Sequence, residues 1–181
     1  MTDSIATTAL PLVPGRWALD TNHVRVGFSV RHLGVSKVRG HFGAVEAELV
    51  VGETPEDTSV TATVDIASID TGNKDRDAHV LSPELLDVAT RPTMTFRSTG
   101  ITGEGTDWTL DGDLTIGDVT KPVALDVELG GTEEFVDGVH AGFEARGEIR
   151  RHDFGIHFGP VDKALGNAIK LELDLEFLQP G

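Results

Sequence analysis

The sequence predicts an all-β protein of one domain, in which antiparallel strands form a sheet with one buried face. Eight segments alternate apolar and polar residues with a period of two, which is the pattern of such strands. Turn-forming stretches such as "GETPEDTS" and "GGTEEFVDG" separate these segments. The length of 181 residues suits a single domain with a sizeable core.

The first two strands are predicted near the start of the chain. In "HVRVGFSVR" the apolar residues share one face, namely Val24, Val26, Phe28 and Val30. The second strand covers Val38–Val51, and its apolar residues change parity between Phe42 and Val45. This change predicts a β-bulge near Gly43.

Six further strands complete the predicted sheet. In chain order they are Val60–Ile66, Thr93–Ser98, Trp108–Ile116, Val123–Leu129, Ala141–Ile149 and Ile169–Phe177. Their polar faces carry Asp, Glu, Arg and Thr, so one side of the sheet meets water. Parallel α/β folds are excluded because their strands are apolar on both faces. The remaining architectures are a sandwich and an up-and-down barrel.

A short helix is predicted between the third and fourth strands, near residues 82–88. Ser82 is a typical N-cap, Pro83 suits the first helical position, and Glu84 places an acid in the first turn. The stretch "ATRP" ends the helix before the next strand. Such a helix either gates a cavity at one end of a barrel or plugs that end as part of the core, and the plug is slightly favoured.

Small residues on the inward faces leave the content of the barrel open. They are Ala62, Gly112, Ala141, Ala145 and Gly147. A barrel of about eight strands holds either packed side chains or one small ligand, and small inward residues favour the ligand. Alternatively, glycine and alanine only permit the sheet to curve. These residues alone favour both interpretations about equally.

Composition excludes several classes of function. The formal net charge of -15 repels phosphate backbones and anionic membrane surfaces, so no nucleic-acid partner is expected. The absence of cysteine excludes disulfides, thiolate nucleophiles and cysteine-ligated zinc. No apolar run reaches the about 18 residues that a transmembrane helix needs, so no transmembrane segment is expected.

The N-terminal stretch "MTDSIATTALPLVPGRW" has neither a basic n-region nor a long apolar h-region. It therefore does not resemble a signal peptide, and a cytoplasmic location is expected. Residues 1–14 are predicted to form a disordered tail. The sequence leaves open whether the protein is a monomer or a homodimer.

The charged stretch "DRDAH" allows four interpretations. As a catalytic pair, Asp75 and Asp77 would need raised pKa values, and the neighbouring Arg76 would lower them. As a metal site, Asp77 and His79 lack further ligands at a recognisable spacing. As a structural network, Arg76 donates to carboxylates or backbone carbonyls, and this interpretation is favoured. A fourth is that Arg76 or His79 meets the polar end of a bound ligand.

No catalytic residue and no metal site are predicted. The sequence contains no "GxSxG" elbow of a hydrolase. The "DFG" at Asp153–Gly155 lacks the other motifs of a kinase. This stretch is expected to form a bend instead, with Phe154 pointing inward. Four of the seven histidines lie on separate strands without an HxxxH pair, namely His23, His41, His152 and His157. A solvated or core-edge position is predicted for each.

Five segments, in this order and spacing, resemble the YceI-like family of lipid-binding proteins. They are "FSVRHLGVSKVRGHFG", "ASIDTGNKDRDAHVLS", "RPTMTFRS", "LDGDLTIGDVTKPVAL" and "RRHDFG", within roughly Trp17 to Phe177. The resemblance implies a lipocalin-like, eight-stranded antiparallel up-and-down barrel over residues 15–181. It also implies a long apolar cavity for an isoprenoid or another long-chain amphiphile. The chain departs from the family at Leu85 and Leu86, where relatives often carry an aromatic pair. Many relatives are exported to the periplasm, which this N-terminus does not support.

The resulting hypothesis is that the protein binds, sequesters or transports a long-chain hydrophobic ligand, without enzymatic activity and without a cofactor. The residues expected to contact the ligand share the inward faces: Val26, Phe28, Val30, Phe42, Ala62, Phe96, Leu114, Phe143, Ala145 and Phe154. Arg76, Asp77 and His79 are expected to be structural or to lie near the head group of the ligand.

Two alternatives remain open at this point. The first is an enzyme that isomerises or hydrolyses a small apolar substrate in the same cup, and a convergent polar cluster inside the cup would reveal it. The second is a structural or interaction protein with a filled barrel, which would contain no ligand.

Overall fold

The computed structural model describes residues 10–180, which form ten strands, one α-helix and four short 3-10 helices. The strands are β1 Gly15–His32, β2 Ser36–Phe42, β3 Val45–Val51, β4 Ser59–Asp65, β5 Ile69–Asp70, β6 Thr93–Glu104, β7 Asp107–Ile116, β8 Val119–Phe135, β9 Gly138–Arg150 and β10 Leu165–Pro180. Helix α1 spans Lys74–Leu81, and the 3-10 helices span Pro55–Asp57, Ile66–Ser68, Arg151–Phe154 and Gly159–Ala164.

The sheet closes into a barrel because β1 pairs with β10 as well as with β2 and β3. Strands β2 and β3 act as one bent strand that is interrupted at Gly43 and Ala44, and β5 adds two residues beside β2. The wall therefore has eight strands, each antiparallel to the next along the chain. The predicted up-and-down barrel is confirmed, and the strand breaks where the bulge near Gly43 was predicted.

Several strands extend beyond their predicted bounds. Strand β8 continues to Phe135, although the apolar alternation ends at Leu129. The extension is possible because β8 and β9 stay paired up to Phe135 and Gly138, through backbone hydrogen bonds that need no apolar side chain. Periodicity detects only the part of a strand that covers the core.

The helix lies about two turns earlier than the sequence predicted. It begins after Asn73, whose side-chain oxygen accepts a hydrogen bond from the Arg76 backbone N–H at 3.0 Å. Ser82 follows the end of the helix, and its backbone N–H donates to the carbonyl of His79 at 3.1 Å. Residues 82–91 form turns instead, and Asp87 has a φ of +51°, which a right-handed helix does not allow. The prediction of a helix near residues 82–88 is therefore wrong in position.

One end of the barrel, where β1 begins and β10 ends, is filled by apolar side chains, and we call it the packed end. Trp17, Leu49 and Phe177 are buried there together with Leu12. Residues 1–9 lie outside the described residues, so the predicted tail can be compared with the structure only over residues 10–14. In that part Leu12 is 8% exposed and packs onto the barrel, which anchors this piece of the chain.

The opposite end, which we call the loop end, is formed by the β1–β2 turn, residues 71–92 and residues 151–164. Part of it is plugged by Ile66, Leu85, Phe154 and Ile156, all of which are buried. Leu85, which lies in a turn rather than in the predicted helix, is buried at this end and also lines the cavity. Within residues 10–180, no helix has the length and apolar character that crossing a bilayer requires.

Candidate ligand-binding site

The barrel encloses a cavity of about 630 Å³. Apolar side chains from all eight strands of the wall line it, including those of Val26, Val64, Phe96, Leu125 and Leu173. Small-molecule sites typically have volumes of roughly 300–1,000 Å³ and mostly apolar walls. The interior of this barrel is therefore large enough for a ligand and suited to an apolar one.

Nine of the ten predicted contact residues line this cavity. They are Val26, Phe28, Val30, Phe42, Ala62, Phe96, Leu114, Phe143 and Ala145. Phe154 points inward as predicted, but its expected contact with the ligand is corrected, because it lies outside the cavity lining and is only 1% exposed within the core. Phe154 is the last residue of the 3-10 helix Arg151–Phe154, and its ring packs among the buried side chains of the loop end. Its carbonyl accepts a hydrogen bond from Arg91 Nη1 at 3.1 Å.

Several inward-facing side chains are only half-buried, although they point away from the outer solvent. Val26, Phe28, Phe96 and Phe143 all show this combination. In a filled interior, close packing would bury such side chains completely. Their remaining accessible surface faces the cavity, as expected for a hollow barrel.

The inward glycines do not contribute to this space. A Cβ atom on Gly112 would lie 2.2 Å from Cζ of Phe96, and one on Gly147 would lie 2.6 Å from Cδ2 of Leu125. Each glycine therefore accommodates a large side chain of a neighbouring strand. The argument for a cavity from small residues applies to Ala62 and Ala145, which line it, and not to these two glycines.

The polar side chains of the lining gather at the loop end, apart from Thr95 on β6. They are His32, Ser36, Lys37, Thr71, Arg76, His79 and Arg151. Lys37, Arg76 and His79 belong to the cavity wall and are also exposed. The cavity thus approaches solvent between the β1–β2 turn and α1. Among residues 10–180, no carboxylate belongs to the lining, so the charged lining groups are basic.

Arg76 braces the segment that leads into α1. Its Nε donates to Thr71 Oγ1 at 2.9 Å, and its Nη2 donates to the Thr71 carbonyl at 2.6 Å. Asp77 completes the network, because its Oδ1 accepts from the Thr71 backbone N–H at 2.9 Å and from the Thr71 hydroxyl. Arg76 therefore binds a carbonyl and a hydroxyl rather than the carboxylates beside it in sequence. Within the described residues these bonds use two of its five N–H groups.

His79 connects α1 to the neighbouring segments of the loop end. Its Nε2 lies 3.2 Å from Glu84 Oε2, and its ring meets the ring of Phe158 edge-on with centroids 6.3 Å apart. Phe158 also lines the cavity. His79 and Phe158 thus form one side of the cavity's polar end.

Arg151 is a structural residue that the sequence analysis missed. It is 1% exposed and donates five hydrogen bonds, to Asp162 Oδ1 and to the carbonyls of Ile156, Asp162, Leu165 and Gly166. Its guanidinium group also lies 5.3 Å from the centroid of the Phe158 ring. These contacts fix the segment that completes the loop end. Arg151 directly follows β9 and begins the 3-10 helix Arg151–Phe154, so no strand pattern marked it as buried.

Asp162 is the acidic partner of this network. The hydrogen bond from Arg151, assisted by the Phe158 backbone N–H, holds the pKa of the Asp162 carboxyl well below its usual range. Asp162 Oδ2 also lies 2.8 Å from His152 Nε2. The carboxylate thus stays ionised and ties three parts of residues 151–162 together.

A closed up-and-down barrel around an apolar cavity belongs to a class of folds that can enclose a small molecule. Residues 17–177 match the YceI-like domain, and the chain belongs to this family. Protein YceI of Escherichia coli O17:K52:H18 (strain UMN026 / ExPEC) is 36% identical over 154 residues, which cover 83% of this chain and 81% of the relative.

Solved structures share the fold. The YCEI protein of Campylobacter jejuni is 28% identical, with a TM-score of 0.74 and coverage of 83% of this chain and 90% of the other. A structure described as a polyisoprenoid binding domain from Saccharophagus degradans has a TM-score of 0.68 at 15% identity, covering 93% of this chain and 100% of that domain. At that identity the likeness concerns the fold.

Proposed function

We propose that this protein binds a long-chain hydrophobic ligand, a polyisoprenoid or a similar amphiphile, inside its barrel. The observation that carries the proposal is an apolar cavity of about 630 Å³ whose polar lining groups gather at one end. An amphiphile has the matching distribution, with a long apolar chain and one polar head. The polyisoprenoid-binding description of the Saccharophagus degradans domain supports this class of ligand.

The basic lining groups favour a head group that is anionic or accepts hydrogen bonds. Lys37 and Arg76 lie at the polar end of the cavity, although the chain as a whole carries a net charge of -15. A prenyl phosphate would place its charge beside these two cations and its chain along the apolar wall. Arginine binds phosphate well because its planar group donates two parallel hydrogen bonds.

The role is sequestration or transport rather than catalysis. Two of the polar lining groups, Arg76 and Arg151, direct hydrogen bonds to the protein's own backbone. A general base would have to be His32 or His79, and both are exposed on the rim. This arrangement favours binding over the enzymatic alternative, and the cavity volume argues against a filled structural barrel.

The decisive experiment extracts the purified protein with organic solvent and identifies the extract by mass spectrometry. We expect one long-chain amphiphile at up to one equivalent per chain. Delipidated protein should then gain stability when a prenyl ligand is added, by about 2.7 kcal/mol at 100 times the dissociation constant. An empty extract together with an unchanged melting curve would contradict the proposal.

Two narrower expectations stay predictions. The cytoplasmic location would be checked by fractionating cells that produce the protein at its natural level. The choice between monomer and homodimer would be checked by light scattering on the eluting protein.

A further inference from the structure

A break in the barrel seam brings acidic and histidine side chains together. Strands β1 and β10 are in register at Leu19 with Phe177 and again at Val24 with Leu175. Four residues of β1, numbers 20–23, therefore face the single residue Glu176 of β10. Such a bulge redirects side chains, and bulges occur often beside functional sites. Here it turns Asp20 and His23 toward Glu176.

The donor atoms of this cluster lie close to one another. His23 Nδ1 is 2.9 Å from Asp20 Oδ2 and 3.1 Å from Glu176 Oε2. On the other side of Glu176, strand β9 supplies His140, whose Nδ1 is 3.5 Å from the same Oε2. Asp20, His140 and Glu176 each offer one ligand atom within 4.8 Å of the others. The side chains of these three residues are 17%, 19% and 31% exposed and so are partly shielded from water, whereas that of His23 is 66% exposed at the rim of the cluster.

A fifth residue orients His140. Asp137, in the β8–β9 turn, has its Oδ1 2.7 Å from His140 Nε2. When Nε2 donates its proton to Asp137, Nδ1 of the neutral ring directs a lone pair toward the Glu176 carboxylate. Two acceptors then face each other, and either a proton or a cation must lie between them. A carboxylate behind a histidine is the usual support of a metal-binding histidine.

We propose that Asp20, His23, His140 and Glu176 form a site for one divalent transition cation of the Zn²⁺ class, with Asp137 as the residue that positions His140. Two imidazole nitrogens and two carboxylate oxygens are ligands that Zn²⁺ accepts in four-coordinate sites. Ca²⁺ and Mg²⁺ prefer oxygen ligands alone. The site lies on the outer face of the barrel, away from the loop end, and it is independent of the proposed lipid ligand.

The position of the site suggests what the cation does. Its ligands come from β1, β9 and β10, and the β1–β10 pairing closes the barrel. A cation there would clamp the closing seam at the point where the bulge removes regular pairing. The surrounding carboxylates raise the pKa of both histidines, chiefly through Asp20 for His23 and Asp137 for His140.

A second cluster provides an internal comparison. His152, His157 and Asp162 also lie within ligand distance of one another. However, the Arg151 guanidinium already contacts Asp162, and the two imidazole rings stack with centroids 4.5 Å apart. An arginine cation at the carboxylate opposes a metal ion there. This cluster therefore supplies a control variant, His157→Ala.

The test titrates chelator-treated protein with ZnCl₂ by calorimetry and counts bound metal after equilibrium dialysis. We expect one Zn²⁺ per chain for the natural protein and for His157→Ala. His140→Ala and Glu176→Gln should weaken binding at least about 10-fold, and Asp137→Ala should weaken it roughly 10–100-fold. Zn²⁺ should also raise the melting temperature of the natural protein and of His157→Ala, but not that of Glu176→Gln.

Three outcomes would overturn the proposal. The first is an absence of saturable Zn²⁺ binding to the natural protein. The second is binding that His157→Ala abolishes and Glu176→Gln leaves unchanged, which would assign the metal to the other cluster. The third is equal affinity for Ca²⁺ and Zn²⁺, which would indicate cation attraction by the acidic surface rather than a site with imidazole ligands. If His140→Ala fails to fold, Glu176→Gln still tests the proposal. It removes a carboxylate ligand but keeps the size of the side chain.

Discussion

At the residue scale, the structural role of Arg76 and its proposed contact with a head group make different demands on its side chain. Its hydrogen bonds to Thr71 need the planar guanidinium, because two different nitrogens reach a hydroxyl and a carbonyl. A phosphate head group would need the positive charge and the N–H groups of Arg76 that do not reach Thr71. Thr71 is 8% exposed, so its carbonyl would lose its side-chain donor in a largely buried place.

We therefore expect Arg76→Ala to destabilise the fold by about 1–3 kcal/mol, the cost of an unsatisfied buried acceptor. Arg76→Lys keeps the charge but loses the fork, so it should be nearly as unstable. Urea unfolding measures this effect. The contribution of Arg76 to head-group binding is measured by the affinities of the variants for a prenyl phosphate and for a prenyl alcohol of equal chain length. Normal stability of Arg76→Ala with a loss confined to the phosphate would show that the structural interpretation is wrong.

The Arg151–Asp162 pair makes stability depend on pH in a defined direction. The folded protein holds the pKa of Asp162 below its usual range, whereas the unfolded chain takes up a proton near the ordinary value of about 3.9. The pair therefore stabilises the fold above that pH, and the contribution is lost as the pH falls below it. Removing the carboxyl group should remove this part of the acid sensitivity.

We expect the melting temperature of the natural protein to fall more steeply between pH 5 and pH 3 than that of Asp162→Asn, in line with the ordinary aspartate pKa of about 3.9. The other carboxylates titrate in both proteins, so the difference between the two curves isolates Asp162. Thermal melts at closely spaced pH values supply the measurement. Parallel curves would mean that Asp162 is not held in its ionised form by the fold.

At the scale of elements, the helix between β5 and β6 begins at an N-cap that the sequence analysis did not identify. Asn73 caps α1 with its side chain, and Asp75 and Asp77 lie in the first turn. Ser82, Pro83 and Glu84 form an equally typical start by residue type. That start is not used because Ser82 N–H bonds back to His79, and Asp87 turns into the left-handed region.

The matched pair Asn73→Ala and Ser82→Ala tests this placement. Loss of an N-cap costs roughly 0.5–2 kcal/mol, so Asn73→Ala should destabilise α1 and speed hydrogen exchange of its amides. Ser82→Ala removes only one exposed bond to the His79 carbonyl, and it should have a smaller effect. If Ser82→Ala proved the more damaging change, the helix would begin where the sequence alone had suggested.

Sequence could predict the strands well because each strand has one buried face, and burial imposes a period of two. Arg151 was missed because its burial depends on carbonyls from residues 156–166, which come close only after the chain folds. The bulge at residues 20–23 was also missed. All four residues of "DTNH" are polar, so they show no apolar alternation whose change of parity would reveal a bulge. Phe154 points inward as predicted, but the sequence could not show that neighbouring side chains of the loop end would separate it from the cavity.

At the scale of the whole molecule, the cavity distinguishes two alanines that the sequence treated alike. Both Ala62 and Ala145 line it, but Ala62 is half-buried whereas Ala145 is only 4% exposed. Free surface on an inward residue indicates space in front of it. Ala62 thus faces open volume, and Ala145 packs against its neighbours at the wall.

We expect Ala62→Trp to fill part of the cavity and to weaken uptake of a prenyl ligand at least tenfold with little loss of stability. Ala145→Trp should instead overpack the wall and cost roughly 1–3 kcal/mol or more. Thr61→Trp is the matched control, because Thr61 is the exposed neighbour on the same strand. Ligand titration and urea unfolding of all three variants give the comparison. Strong destabilisation by Ala62→Trp with unchanged ligand uptake would mean that the barrel is filled and that the ligand binds elsewhere.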